Sequence, residues 1–466
     1  MNSDAPASYI STPSPREERA GRGPGRGAVE PSQSQPSASS PRPSPPSDVG
    51  EGGKNPGIVL FLGAVRRGEF ENLQKHGLRL GILIDTNSKA RLGDVSQFVF
   101  VERFDFSRPL PELIAAVSDI EKRFGIACLF NVVEFYVAQT AEVAAALGLP
   151  GISSASAALC LDKNLMRQRF HDRIGSYSVA KFHNIHSEAE LLKFANELGY
   201  PCFLQPSNVS ASMWATRNTD AEMLLANYRA MLDEVPKYYQ RLGKLDARLS
   251  VVLAEYMEGS NISIDCLMDH SGRVYTTPAV EVLTGKDVGI DDFHHFARLL
   301  PPRLSEEEKE KLNQLAIAGV QALDMTTSAA HVEFIGARLG EIAARPGGNR
   351  PRILELAYGM DMLYAYHQIL RGEIPDLRGD RNLAAAVVTP FARRNGILRS
   401  LRHLDEIPKL PGYLYHEVRG QIGQPIGLSK SGYRAGLYIE LVSADAATVR
   451  CSVDVIASWH DLYDIE

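Results

Sequence analysis

The sequence predicts a multidomain chain, α/β at its start and α+β further on, that ends in a small β-rich segment. Three observations predict it. Short apolar runs alternate with helical stretches from residue 57 to about 147, the pattern of a parallel sheet covered by helices. From about 156 the alternation gives way to mixed helices and half-buried strands. From about 382 the chain carries short alternating runs separated by turns.

Residues 1–55 stand apart. Ten of the 27 prolines fall within the first 50 residues, mixed with Ser, Gly and Arg. Such a segment has little apolar surface to offset ordering entropy and is expected to be a disordered tail. The first domain is expected over 56–155. Its strands are 57–63, 80–85, 98–101 and 127–133, with helices over 109–123 and 135–147. The turn at Gly63 lacks GxGxxG, so nothing local supports dinucleotide binding. Asp85 and Asn131 are polar residues at strand ends.

A second domain is expected over 156–378. Asp162 is placed to N-cap a helix that opens Lys163-Asn164-Leu165-Met166. A helix over 187–198 precedes a strand at 202–205. Further strands are expected at 251–257, 262–267 and 274–275, with a turn at His270–Arg273. Ser305 and Glu308 form a capping box for a helix to about 323, and Leu312, Leu315, Ala316, Gly319 and Val320 form its inward stripe. One more helix is expected near 353–371. A third, α+β domain over 379–466 would hold strands at 384–389, 413–418, 436–442 and 448–451 and a last helix over 453–460.

Composition excludes several classes. Hydrophobic content of 44% and charged content of 23% are those of a water-soluble globular protein. A net charge of -6 with no basic block argues against a nucleic-acid partner. No apolar run approaches the ~18 residues of a membrane span. Five cysteines, widely spaced and without a CxxC pair, argue against a disulfide framework and point to a reducing cytoplasm.

The chemistry concentrates in His331-Val332-Glu333-Phe334-Ile335 and Gly340-Glu341-Ile342-Ala343-Ala344-Arg345-Pro346-Gly347-Gly348. Gly336 and Gly340 punctuate a tight hairpin. Centred near Ala337, it sets Glu333 opposite Glu341 on one face, with Cβ atoms about 5 Å apart. Two carboxylates that close repel unless a cation lies between them. Mg²⁺ takes such oxygens together with substrate phosphates. Arg345 adds a planar donor fork suited to phosphate or carboxylate. Residues 281–298 read as a long connection facing the substrate; within it Glu281 would meet an ammonium group and Arg298 a carboxylate.

The order of these pieces resembles the ATP-grasp superfamily: an α/β leading domain, DKxxMR at Asp162–Arg167, an E-Y-x-x-G hinge at Glu255–Gly259, then H-x-E and E-x-x-x-R-x-G-G. The sequence Glu-Ile-Ala-Ala-Arg-Pro-Gly-Gly is similar to the L-amino acid ligase branch, which includes dipeptide-forming enzymes. So is the final segment with Gly396-Ile397-Leu398, Ile407–Gly412 and Arg434-Ala435-Gly436. The resemblance implies a Rossmann-like pre-ATP-grasp domain, an ATP-grasp fold and a small C-terminal domain. It implies a ligase that uses ATP and Mg²⁺ (or Mn²⁺) to join a small carboxylic or amino acid to an amine through an acyl phosphate. Its partners would be small molecules, and dimers are common among such enzymes.

Residue by residue, the resemblance makes Lys163 the lysine that reaches the nucleotide phosphates. Glu255, Tyr256 and Met257 become the adenine hinge, and Asn261 stands where a ribose ligand is usual. Glu333 and Glu341 become the metal ligands and Arg345 the arginine that stabilises the transferred phosphoryl group. Gly347 and Gly348 would let backbone approach the substrate. The chain also departs from the pattern. Gln205 replaces a second phosphate-binding lysine, for which Arg217 or Lys286 would compensate. The phosphate-covering loop Ser207–Met213 has no glycine, Ala343 replaces an asparagine ligand, and the spacing between the two glutamates is short. Alternatives are a carboxylase- or carbamoyl-type enzyme that uses bicarbonate, and a nucleotide-binding protein without catalysis.

Overall fold

In the computed structural model the described residues are 57–66, 69–88, 95–209, 213–241 and 248–466. The tail expected over 1–55 and the centre of the loop Ser207–Met213 lie outside them.

The described residues form twenty strands in four sheets. The first sheet holds β1 (Ile58–Gly63), β2 (Leu80–Asp85), β3 (Phe100–Phe104) and β4 (Ile126–Phe130) in the order β3-β2-β1-β4, all parallel. Every residue of β1 and β2 is buried, because helices cover both faces. This is the Rossmann-like sheet the sequence predicts, and its strands and helices fall within a few residues of their expected places. Asp85 accepts from Tyr136 Oη and from Asn87 N, each at 2.9 Å, and Asn131 Oδ1 from Val133 N at 3.0 Å, so both strand-end polar residues brace the local backbone.

The second sheet contains β5 (Phe182–Ile185), β6 (Cys202–Pro206), β7 (Thr216–Asn218) and β8 (Val251–Glu255), in the antiparallel order β5-β8-β6-β7. One face packs Leu204, Leu253 and Val251 on the helices Glu188–Leu198 and Ala221–Arg241. The third sheet carries the chemistry. It comprises β9 (Asn261–Met268), β10 (Val274–Thr276), β11 (Val280–Thr284), β12 (His295–Leu300), β13 (Ser328–Ile335) and β14 (Arg338–Ala343), and it continues into β15 (Ala384–Val388). Beyond β15, β16 (Gly396–Leu401) and β18 (Pro425–Ile426) belong with β20 (Tyr463–Ile465) to a small fourth sheet, while β17 (Tyr413–Val418) and β19 (Leu437–Ser443) return to the third. Its order is β14-β13-β9-β11-β12-β15-β19-β17, with β10 beside β9. The boundary expected at 378–379 therefore falls between strands of a single sheet.

Two caps expected from sequence are present. Asp162 accepts from Asn164 N and Leu165 N, and Ser305 with Glu308 closes a capping box on Glu306–Ala322. Three expectations change. Residues 281–298 are a hairpin in which the arms β11 and β12 flank a connection of ten residues, 285–294, so the long connection is shorter than expected. The expected helix near 353–371 is two helices, Arg350–Tyr358 and Met362–Leu370, broken at Gly359 with φ +73. The strand expected at 448–451 is the first turn of the helix Ala446–Ser458, where Asp445 caps Ala447 N and Thr448 N. The cap outweighs the strand preference of Thr448 and Val449. All five cysteines are unpaired. Among the described residues, no helix is long and apolar enough to cross a membrane.

Candidate active site

Glu333 and Glu341 pair across the β13–β14 hairpin, as the sequence predicts. The turn is Gly336-Ala337, with Gly336 at φ +60. A bulge between Glu333 and Phe334 absorbs Gly340, where an added Cβ would stand 3.3 Å from Glu333 O. The turn leans on the segment after β8: a Cβ on Gly259 would lie 2.8 Å from Gly336 Cα.

Strand alternation places His331 and Glu333 on one face, opposite Asp265 and Ser263 of β9. His331 bridges two carboxylates. Its Nδ1 is 2.5 Å from Asp265 Oδ1 and its Nε2 is 2.9 Å from Glu333 Oε1. Burial works against the charged form of Glu333, yet the His331 bond and the charges of His295 and Arg350 hold it well below the usual carboxylate range. Glu341 moves the other way. Burial raises it, Glu134 and Glu333 reinforce the rise, and Lys163 opposes it.

Lys163 is the link to the second sheet. Its amide donates to Ser207 O at 3.0 Å, and its Nζ donates to Val209 O at 3.1 Å and lies 3.2 Å from Glu341 Oε1. It is buried in a first helical turn, where the helix dipole disfavours a cation, so the Glu341 pair is what holds it there. Arg345 donates from NH2 to Glu134 Oε2 at 2.9 Å and from NH1 to Pro346 O at 3.0 Å. Burial lowers its pKa, but Glu134 and Glu333 more than restore it. Glu134, from the turn after β4, escapes sequence reasoning because it lies 211 residues from Arg345.

Arg298 lies on the Glu333 face: it pairs with Val282, which pairs with Asn261 at the end of the row that holds Ile335. Glu281 lies one residue out of phase and therefore on the opposite face. Its carboxylate is fully engaged there, by Arg303 Nε at 2.9 Å and NH2 at 2.6 Å and by Arg450 NH2 at 2.7 Å. It cannot meet a substrate ammonium at the Glu333 site; this expectation is corrected by strand register. The glycines also have a structural use. Gly347 N donates to Asp265 Oδ2 at 2.7 Å, and a Cβ there would stand 2.4 Å from His331 Nδ1. Gly348 O accepts from Arg350 NH1 at 2.9 Å.

The other face of the second sheet presents Phe203, Gln205, Val252 and Ala254, with Ala180, Phe182 and Met257 alongside. Gln205 is buried there. Glu255, at the end of β8, pairs with Arg338 of the hairpin. The Tyr256 ring carries two cations, Arg217 Cζ at 5.1 Å and Lys286 Nζ at 4.7 Å from its centroid. The two candidate replacements for the missing lysine thus converge on one aromatic ring.

Among the described residues, no group of three His, Cys, Asp or Glu side chains is arranged to hold a metal. Two opposed carboxylates nonetheless suit Mg²⁺, an ion held by a carboxylate or two together with substrate phosphates. Burial first, and then the fields of Glu134 and Glu333, raises the Glu341 carboxyl, and Lys163 offsets part of that rise. Glu333 and Glu341 are the residues that would hold the ion.

Residues 198–347 match the model of the ATP-grasp domain. The D-alanine–D-alanine ligase of Clostridium acetobutylicum is 25% identical over 205 residues, 41% of this chain and 54% of that protein. That of Thermoanaerobacter pseudethanolicus is 27% identical over 209 residues, 42% and 54% of the two chains. The chain spans about half the length of the curated relatives it matches. The L-amino acid ligase of Bacillus licheniformis superposes with a TM-score of 0.75 at 17% identity, over 89% of this chain and 99% of that one. N5-carboxyaminoimidazole ribonucleotide synthetase of Thermotoga maritima follows the same fold at TM-score 0.63 and 15% identity, over 88% and 99%.

Proposed function

We propose that this chain, which carries an ATP-grasp domain, is an ATP- and Mg²⁺-dependent carboxylate–amine ligase acting on amino acids or similar small acids. The observation that carries the reading is the opposition of Glu333 and Glu341 across the hairpin, with Lys163 against one of them and Arg345 beside them. A carboxylate is a poor acyl donor. In the proposed reaction its oxygen attacks the γ-phosphorus of ATP, ADP departs, and an acyl phosphate forms. The amine then attacks the acyl carbon, the C–O bond to phosphate breaks, and an amide, phosphate and a proton are released.

The chain's own residues position and neutralise. Lys163, anchored on Val209 O, draws the nucleotide phosphates towards the hairpin. Arg345, held by Glu134 and the Pro346 carbonyl, would neutralise charge on the transferred group. His331, braced by Asp265, fixes the Glu333 carboxylate. Glu333 and Glu341 would hold Mg²⁺, which would supply neutralisation of phosphate charge. The hinge around Glu255 and Met257 and the Gln205 face hold the nucleoside, and the ring of Tyr256 gathers the two compensating cations.

The test is ADP and phosphate release from purified protein with ATP and Mg²⁺, across pools of amino acids, small carboxylic acids and bicarbonate, with mass spectrometry for amide products. Release that requires both an acid and an amine, with an amide of matching mass, is the expected result. Release with bicarbonate alone would replace this reading by a carboxylase. ATP binding without release from any pool would leave a nucleotide-binding protein.

A further inference from the structure

A second cleft, of about 150 Å³, opens where the connection 285–294, the segment after β15, the end of the helix Ala446–Ser458 and β20 meet. None of its lining residues belongs to the site described above. Ile290, Phe391, Trp459 and Tyr463 give it apolar walls, and Arg393 and Arg394 give it charge. A dry apolar cavity of about that size holds benzene, so the cleft has room for one ring or a short branched chain.

Neither arginine has an acidic partner among the described residues; both bond only to carbonyls. Arg393 donates from NH2 to Val288 O at 3.1 Å and Ala457 O at 3.5 Å, and from NH1 to Gly289 O at 3.4 Å. Arg394 donates from NH2 to Ile465 O. The acids of the last segment are engaged elsewhere: Asp461 by His403 Nε2 at 2.7 Å, Asp464 by Ser400 Oγ at 3.4 Å and Glu466 by Arg399 Nε at 3.0 Å. Burial lowers the Arg393 pKa, and no acid opposes the shift. The helix end beside Arg393 adds about half a negative charge, which two guanidiniums outweigh.

One short connection joins the cleft to the hinge. Ile290 lines the cleft, and Arg393 holds the carbonyls of Val288 and Gly289. Lys286, in the same turn, bonds Tyr256 Oη and lies 4.7 Å from its ring centroid. An anion in the cleft would compete with the two carbonyls for Arg393, because a charge-assisted bond is roughly twice as strong as a neutral one. The turn that sets Lys286 on Tyr256 would then lose its anchor.

We propose that this cleft is an effector site for a small organic anion, with a carboxylate head facing Arg393 and Arg394 and an apolar body of about one ring among Phe391, Trp459 and Tyr463, whose binding weakens the hold of the hinge on nucleotide. A carboxylate matches the planar donor fork of a guanidinium. The site itself stands apart from the ligase reading; only its effect on nucleotide rests on that reading.

The test titrates the full-length chain with benzoate, and with neutral benzamide in parallel. The chain holds two tryptophans, so Trp214→Phe leaves Trp459 as the fluorescent reporter. Benzoate is expected to change the Trp459 signal saturably, and benzamide to bind at least about 10-fold more weakly. Arg394→Gln, which removes a charge without touching the connection, should weaken benzoate by about 10-fold as well. Calorimetry should show the Kd for ATP raised about 5-fold or more at saturating benzoate. No saturable signal, equal affinity for benzoate and benzamide, or an Arg394→Gln variant that binds benzoate as tightly as wild type would overturn the site. Benzoate binding that leaves ATP affinity unchanged would overturn the effector role. The benzoate–benzamide comparison is repeated by calorimetry on the unsubstituted chain, so a misfolded variant does not blunt it. No ATP binding under any condition would overturn the nucleotide reading, and the benzoate titration would still decide the site.

Discussion

At the scale of single residues, the site is built from groups whose charges depend on one another. Arg345 touches Glu134 and lies within the field of Glu333. Its loss should remove transition-state stabilisation while leaving the nucleotide pocket in place. Arg345→Ala is therefore expected to lower kcat by about 100-fold or more, with ATP affinity by calorimetry nearly unchanged. His367 offers a test remote from the chemistry. It is buried against Cys128 Sγ at 3.5 Å, and burial, with Arg371 and His76, lowers its pKa to about 4. Between pH 4 and 6.5 the unfolded chain then binds a proton that the folded chain refuses, so stability falls on acidification. Chemical denaturation should show wild type losing roughly 2 kcal/mol more than His367→Gln between pH 7 and 5. Lys163, Glu333, Glu341 and Arg345 were legible because they lie in short ordered motifs. Glu134 was not, because only the fold brings it to Arg345. Glu281 misled because a shift of one residue along a strand exchanges faces.

At the scale of elements, the β13–β14 hairpin is the unit that matters, and its register followed from two glycines and the period of a strand. The hairpin is seated by close backbone approach at Gly259, which has φ +126 and faces Gly336. Gly259→Ala must both strain its own backbone and push the turn away. The expected outcome is a loss of about 2 kcal/mol or more in denaturant midpoint experiments, with a raised KM for ATP because the segment after β8 and the hairpin separate. Helix starts read well where a side chain caps them, as at Asp162 and Ser305. The same signal at Asp445 competes with a β-branched Thr448-Val449 pair, and there the local strand pattern is misleading. The β11–β12 hairpin was hidden because polar residues and Gly289 interrupt its apolar pattern between Thr284 and His295.

At the scale of the whole molecule, the third sheet joins what sequence divides. β15 hydrogen-bonds to β12 on one side and β19 on the other, and Phe296, Leu299, Ala386, Ile439 and Val453 share one core. A chain ending at residue 378 would expose that core and an edge of β12. It is expected to be insoluble or to lack a cooperative transition by circular dichroism, where independent domains would leave a folded fragment. Composition could announce the change of character near 382 but not the pairing, since long-range strand order is not written in any local window. The Lys163 ion pair has a consequence at this scale. Under the proposed assignment, a lysine that bonds Val209, in the loop after β6, and Glu341 of β14 would be shared between the sites of two ligands. Nucleotide phosphates that attract Lys163 would release Glu341 to a cation, and a cation on Glu341 would release Lys163 to phosphates. The two affinities would then be tied in a thermodynamic cycle, each ligand tightening the other by the same factor, so that the protein would sense a metal–nucleotide complex as one species rather than as two independent ligands.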